Sequence, residues 1–275
     1  MTSPLYKFVK SKEAVLAMAE GKLKFTPPAE LNDPTELVST VRADAVAASL
    51  RELRERGYTE AQFEWLGRQA ALLDLVPGAL THRYMPRTRE KANRMLRSSG
   101  YNDIQMMTSS QNKVVAQIRS AMAILSLSES YQSLPMWAHY ADMANGFVVV
   151  LENLGLDFAG DNTGSLNILK RVDYPQEFVG MTFDPSTQDR LFFSKLSDWQ
   201  YEREWRVVTT LESCESSGGI RIRRVDPRRM TGVIVGWGVS EQDASSLQEE
   251  LIKVNPHARV SRASLGLGGR VARSE

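Results

Sequence analysis

The run Tyr201-Glu202-Arg203-Glu204-Trp205-Arg206 packs two carboxylates, two guanidiniums and two aromatic rings into consecutive positions. The residues from Trp205 to Thr210 are strand formers, and along a strand side chains alternate between faces. Extended conformation puts Glu202, Glu204 and Arg206 on one face, with Arg203, Trp205 and Val207 on the other. Trp205 and Val207 can then enter a core while the carboxylates line an open surface. Two carboxylates one pleat apart repel, so they raise each other's pKa or engage a cation. Such a pair suits work on a positively charged or oxocarbenium-like centre. A helix through the same residues would instead make Glu202 and Arg206 an i,i+4 ion pair on a solvated face.

Three other groupings carry polar chemistry. Ser126 and Ser128 share one face at the end of a strand, opposite Leu125 and Leu127, where they can hydrogen-bond the hydroxyls of a ligand or simply mark the way out of the core. In Trp137-Ala138-His139-Tyr140-Ala141, the residues Trp137, Tyr140 and Ala141 form a helical stripe suited to a core, with His139 pointing away to the surface. Arg221, Arg223, Arg224, Arg228 and Arg229 cluster in one short stretch, and Arg83, Arg87, Arg89, Lys91, Arg94 and Arg97 in another. Either can contact phosphates of nucleic acid or form a solvated basic face.

Other chemistries find no pattern. The three histidines, at 82, 139 and 257, lie far apart with no partner at metal-ligand spacing. No P-loop, Gly-x-Gly-x-x-Gly or Gly-x-Ser-x-Gly motif occurs. Cys214 is the single cysteine. It excludes an internal disulfide and sits in a polar, acidic stretch where neighbouring carboxylates disfavour the thiolate. A formal net charge of +1 gives no global field toward nucleic acid or acidic membrane.

The elements that must position these residues read as an α+β fold. Hydrophobic residues at 42% and charged residues at 24% are ordinary for a globular chain, and 275 residues fit one domain with a sizeable core. Leu5–Val9 reads as a strand, Ser11 caps a helix ended by Gly21, and Lys22–Phe25 is a strand stopped by Pro27-Pro28. Residues 42–117 read as a helical insertion, with helices over Arg42–Arg56, Thr59–Leu73, Arg87–Arg97 and Ser109–Ser120. Strands follow at Ala123–Ser128, Phe147–Leu151, Ile168–Tyr174, Glu202–Thr210, Ile220–Val225, Gly232–Val235 and Ala258–Ala263. Helices fall at 135–144, Thr187–Leu196 and Glu241–Val254. Gly236-Trp237-Gly238 reads as a hairpin or a strand-to-helix turn. The Gly-, Ser- and Arg-rich residues 265–275 read as a flexible tail. The N-terminus lacks a signal-peptide core and no segment is apolar enough to span a bilayer, so a cytoplasmic protein without membrane partners is expected.

Taken together, several segments resemble a bacterial family known as Domain of Unknown Function 2971. They are Leu5-Tyr6-Lys7-Phe8, Phe25 with Leu31-Asn32-Asp33-Pro34 and Glu36, Leu125-Ser126-Leu127-Ser128-Glu129, and Met136-Trp137-Ala138-His139-Tyr140-Ala141 with Gly146-Phe147. Lys195 and Trp199-Gln200-Tyr201-Glu202-Arg203-Glu204-Trp205-Arg206 complete the set. The opening strand-helix-strand also looks like the start of ADP-ribosyltransferases. That resemblance implies a mixed, mainly antiparallel, split-sheet core and NAD as substrate, with no metal. It implies that Tyr6 or Lys7 grips the nicotinamide ribose or a phosphate, and that Ser126, Ser128 or Tyr140 holds the nicotinamide side. Glu204 then stabilises the oxocarbenium ion and Glu202 assists the acceptor. The family's first-strand residue is a His or Arg, so Lys7 is a departure and a less directional donor than an Arg fork. The resemblance further implies a toxin or anti-phage defence effector, an RNA, DNA or protein acceptor contacted by Arg221, Arg223 and Arg224, and an antitoxin or immunity partner. The competing readings are a non-catalytic interaction module and a metal-dependent nuclease.

Overall fold

Short alternating or fully apolar segments, far apart in the chain, assemble into one large sheet and one small one. The computed structural model describes residues 3–33, 43–64, 66–67, 86–98, 109, 112, 116–117, 119–160, 166–177, 190–266 and 269–274. Strand β1 (Leu5–Val9), helix α1 (Lys12–Ala19) and strand β2 (Lys22–Phe25) open the fold. Ser11 caps α1 by accepting from Ala14 N. Helices α2 (Ala43–Arg56) and α3 (Arg89–Ser98) follow. They are tied by Arg54 Nε donating to Leu96 O at 3.3 Å and by Tyr58 N donating to Asn93 Oδ1 at 2.8 Å. Thr59 and Gln62 form the reciprocal capping pair that starts a helical segment at 60, while most of residues 68–118 lie outside the described set.

The rest of the chain alternates strands with short helices. It runs through β3 (Met122–Ser128), α4 (Leu134–Tyr140), β4 (Phe147–Leu151), β5 (Leu169–Arg171), α5 (Arg190–Phe193) and β6 (Glu204–Thr210). It ends with β7 (Glu215–Ser217), β8 (Ile220–Arg224), β9 (Met230–Val235), α6 (Glu241–Val254), β10 (Arg259–Leu265) and β11 (Val271–Ser274). The large sheet has the order β11-β10-β9-β4-β1-β3-β6-β5 and the small one β2-β8-β7. All pairings are antiparallel except β9 with β10, which α6 joins as a crossover. The result is an α+β fold with a mixed, mainly antiparallel sheet.

Two cores cover the two faces of the large sheet. On one, Leu5, Val15, Met18, Leu23, Phe25, Leu125, Val149, Val207 and Leu247 join α1, α6 and the small sheet. On the other, Phe8, Trp137, Ala141, Val148 and Ile234 gather under α4. Each fully buried side chain of this kind contributes about 1.5–3 kcal/mol. The turn 236–238 is the strand-to-helix alternative, since Ser240 caps α6. Gly236 is required there because a Cβ would lie 2.1 Å from Ala144 O.

Several expectations need correction. The helix from 135 ends at Tyr140 because Asp142, Met143 and Ala144 all adopt positive φ and turn the chain back into β4. The strand over 168–174 keeps only Leu169–Arg171, and the helix over 187–196 only Arg190–Phe193, with 187–189 outside the described residues. The tail is not a tail throughout. Val271–Ser274 pairs antiparallel with β10 as an edge strand, with Val271 buried. Among the described residues no helix is long and apolar enough to cross a membrane.

Candidate functional site

A cleft of about 220 Å³ opens where β1 and β3 part. Their ladder holds one pair, Tyr6 opposite Ser128. Further along, β3 is drawn to the small sheet, where Thr26 and Ile124 exchange hydrogen bonds of 2.8 and 2.9 Å. The gap between the strands is lined by Tyr6, Lys7, Ser126, Ser128, Tyr140, Glu202 and Glu204, together with Lys24, Asn32 and Lys195. Every catalytic and NAD-contacting position singled out from the sequence therefore reaches one place.

The two carboxylates arrive differently from expectation. Residues Ser197–Glu202 form a 3-10 turn, Arg203 is left-handed with φ 45°, and the strand begins only at Glu204. The left-handed residue, not the pleat, turns both flanking carboxylates into the cleft. The helical alternative is overturned as well, because Glu204 and Arg206 share a strand face. Nor do the carboxylates line an open surface: Glu202 is 4% exposed and Glu204 2%. Burial on that scale demands counter-charges, and each has its own. Arg206 Nε and Nη2 chelate Glu204 at 2.9 and 2.7 Å, while Nη1 donates to Phe192 O at 2.8 Å. Glu202 accepts from Lys195 Nζ at 2.7 Å and from Tyr140 Oη at 2.6 Å.

Of the two expected outcomes, mutually raised pKa values or an engaged cation, these pairings realise the second. Burial pushes the Glu204 carboxyl up, but Arg206, then Lys195 and the Ser126 hydroxyl, outweigh it and hold the group below its ordinary value. Burial, with Glu202 beside it, pushes the Tyr140 phenol far up, so Tyr140 stays a neutral donor. Tyr174, whose oxygen accepts from Glu204 N at 2.7 Å, is likewise raised by burial. Lys7 donates to Ser126 O at 2.8 Å, and its ammonium sits in a crowded, desolvated part of the cleft, which lowers its pKa to about 8. With Lys195–Glu202 and Arg206–Glu204 paired off, the charged residues left among the described lining are Lys7, Lys24 and Glu30. The residual charge favours an anion.

Some assigned roles do not survive. The Ser128 hydroxyl is spent on the main chain, donating to Glu202 O at 2.7 Å and accepting from Ser130 N at 3.2 Å. It latches the 3-10 turn to β3 instead of offering a ligand contact. Of the basic cluster on β8, Arg223 is turned inward, donating to Asn167 Oδ1 at 2.5 Å and Thr209 Oγ1 at 3.0 Å over the Phe158 ring. Arg224 pairs with Glu215 at 3.0 Å, and Arg221 sits on the inner face opposite Phe25. Arg223 is thus a structural residue, while Arg224 stays on the surface in an exposed ion pair. The Cys214 thiol is indeed raised, but by burial and not by neighbouring carboxylates. Two cations of the cleft were missed as site residues: Lys195 and Lys24. Lys195 stood among the residues carrying the family resemblance, beside Trp199, whose ring its ammonium covers at 4.3 Å. Lys24 gave only the alternation of a strand.

The fold and site define an α+β protein with a small polar cleft built on paired charges. Residues 136–207 match the model of a family described as protein of unknown function (DUF2971), a span that carries Tyr140, Lys195, Glu202 and Glu204. No curated protein and no solved structure matches the chain.

Proposed function

We propose that the cleft binds the nicotinamide-ribose end of NAD and that the protein is an ADP-ribosyltransferase modifying a macromolecule, as a toxin or anti-phage defence effector. The observation that carries this reading is the meeting of Tyr6, Lys7, Ser126, Tyr140, Glu202 and Glu204 in one cleft. At about 220 Å³ the cleft is smaller than the roughly 300–1,000 Å³ that encloses a drug-sized ligand. It suits one end of a dinucleotide, with the phosphates leaving past Lys7 and Lys24.

In this reaction the bond between C1′ and the pyridinium nitrogen breaks, and its electron pair leaves with nicotinamide. The acceptor's oxygen or nitrogen bonds to C1′, and its proton passes to the Glu202 carboxylate. Glu204 contributes a carboxylate fixed by two Arg206 hydrogen bonds and kept ionised, so no reorganisation is needed as positive charge develops on the ribose. Ser126 and the Tyr140 oxygen orient the nicotinamide side, the phenol giving its one proton to Glu202 and accepting from the carboxamide N–H. The interaction-module reading rests on the basic helical insertion, where Arg87, Arg89, Lys91, Arg94 and Arg97 are exposed, but it gives the paired carboxylates of the cleft no role. The nuclease reading needs carboxylates free for a cation, and among the described residues no three His, Cys, Asp or Glu side chains gather to hold one.

The test is nicotinamide release from NAD by the purified protein, with labelled NAD offered to RNA, DNA and lysate protein. Glu204→Gln and Glu202→Gln should each lower turnover about 10²–10³-fold, with circular dichroism confirming the fold. A wild-type protein that neither binds nor consumes NAD ends this proposal.

A further inference from the structure

A second cavity, of about 390 Å³, lies on the other side of the segment that delivers the two carboxylates. Its walls are Pro4, Leu5, Leu151, Leu154, Leu169 and Trp205, and its mouth carries Glu129 and Arg203. Glu202 and Glu204 turn toward the first cleft, and Arg203 between them turns toward this one. Its volume falls within the range of small-molecule sites, which are mostly apolar with a few placed polar groups.

The charge at the mouth decides the ligand. Glu129 is already saturated: it accepts from Trp205 Nε1 at 2.8 Å, from Arg171 Nε at 3.2 Å and from Arg203 Nη2 at 3.2 Å. The Arg171 and Arg203 side chains are 60% and 55% exposed, against 22% for Glu129. A guanidinium carries five N–H donors in a planar fork, so most of theirs remain available among the described residues. Two cations around one spent carboxylate leave an excess positive charge beside an apolar chamber.

We propose that this cavity is a binding site for a small apolar carboxylate, its hydrocarbon body among the leucines and Trp205 and its anionic head on Arg203. The assignment stands apart from the ADP-ribosyltransferase reading and uses none of its residues. An apolar carboxylate matches both features at once, because bidentate guanidinium–carboxylate contact is directional and the leucine walls reward only apolar area.

The experiment is calorimetric titration of the full chain with octanoate, octanol and octyltrimethylammonium, with methyl NMR of Leu5, Leu151, Leu154 and Leu169 locating the site. Octanoate should bind saturably and shift those methyls, octanol should bind more weakly, and the cation weakest. Arg203→Gly removes the guanidinium at a position whose φ of 45° glycine adopts without strain, and should weaken octanoate about tenfold while leaving octanol unchanged. Leu169→Trp fills the chamber and should abolish both. The proposal is overturned if octanoate does not saturate, if the cation binds as well as the acid, or if neither substitution changes the affinity.

Discussion

Arg206→Met isolates the contribution of the buried Arg206–Glu204 pair. In the folded protein Arg206 is 1% exposed and spends its guanidinium on three hydrogen bonds no longer than 2.9 Å. Methionine fills part of the volume but leaves the Glu204 carboxylate buried and its main partner gone, along with the donor to Phe192 O. Removing one member of a buried pair costs about 3–5 kcal/mol, and the additional orphaned carbonyl argues for the upper half of that range. Glu204→Leu/Arg206→Met should regain most of the loss, because it leaves no uncompensated charge. The pH dependence has a definite sign. In the wild type the Glu204 carboxyl is depressed, so its contribution is complete above the unfolded carboxyl range and is lost as pH falls through the lower folded value. In the variant burial prevails and raises that pKa, so the cost is complete at neutral pH and relieved on acidification. Urea unfolding at about pH 7 and about pH 4.5, which bracket the carboxylate range, should show the gap between the two proteins narrowing at the lower pH. A loss under about 1 kcal/mol, or a gap that stays constant, would refute the claim that this pair is a desolvated charge couple.

Three further outcomes follow from single contacts. The folded state holds Lys7 near 8 against an ordinary 10.5, so wild-type stability rises between those values as only the unfolded chain retains the proton. Lys7→Met lacks that titration, and its melting temperature relative to wild type should be highest below about pH 8 and decline above it. Gly236→Ala forces a Cβ to 2.1 Å from Ala144 O; it should cost at least about 2 kcal/mol in urea unfolding, and a neutral result would mean the turn opens freely. Arg223→Gln removes the donor to Asn167 and Thr209 and should lower the melting temperature while leaving nucleic-acid retention on a salt gradient unchanged.

What the sequence disclosed depended on how local the deciding forces were. Leu5–Val9, Phe147–Leu151 and Glu241–Val254 match their expected bounds because their apolar periodicity and caps lie within the segment itself. Val271–Ser274 was unreadable because its register is supplied by β10 and only Val271 enters the core. At the site, the identity of the polar residues could be picked out, but not their pairing. Lys195 and Glu202 stand seven positions apart across a 3-10 turn, and such a pairing leaves no periodic trace. Of the two outcomes open to near-adjacent carboxylates, raised pKa values or engaged cations, Lys195 and Arg206 realise the second.

The existence of the cleft follows from where strand pairing stops. Neighbouring strands in register lie about 4.8 Å apart, too close to admit a ligand between them, so a gap inside a sheet requires that one ladder be abandoned. Here β1 gives up β3 after Tyr6–Ser128 and satisfies its other edge fully on β4, while β3 recovers its pairing on Thr26 and along β6. The backbone of β3 thus finds partners elsewhere, and side chains line the opening that is left. Lys7, which alternates with the core residues Leu5 and Val9, is the one charged group on that face of β1, and it finds Ser126 O because β3 has swung aside. Had β1 and β3 stayed paired throughout, the Lys7 ammonium would lie in the apolar core among Leu125 and Leu127, where burial without a partner is prohibitive. A lysine at this position is compatible with the fold only because the sheet divides beside it, and Glu202 and Glu204 line the opening that the same division leaves.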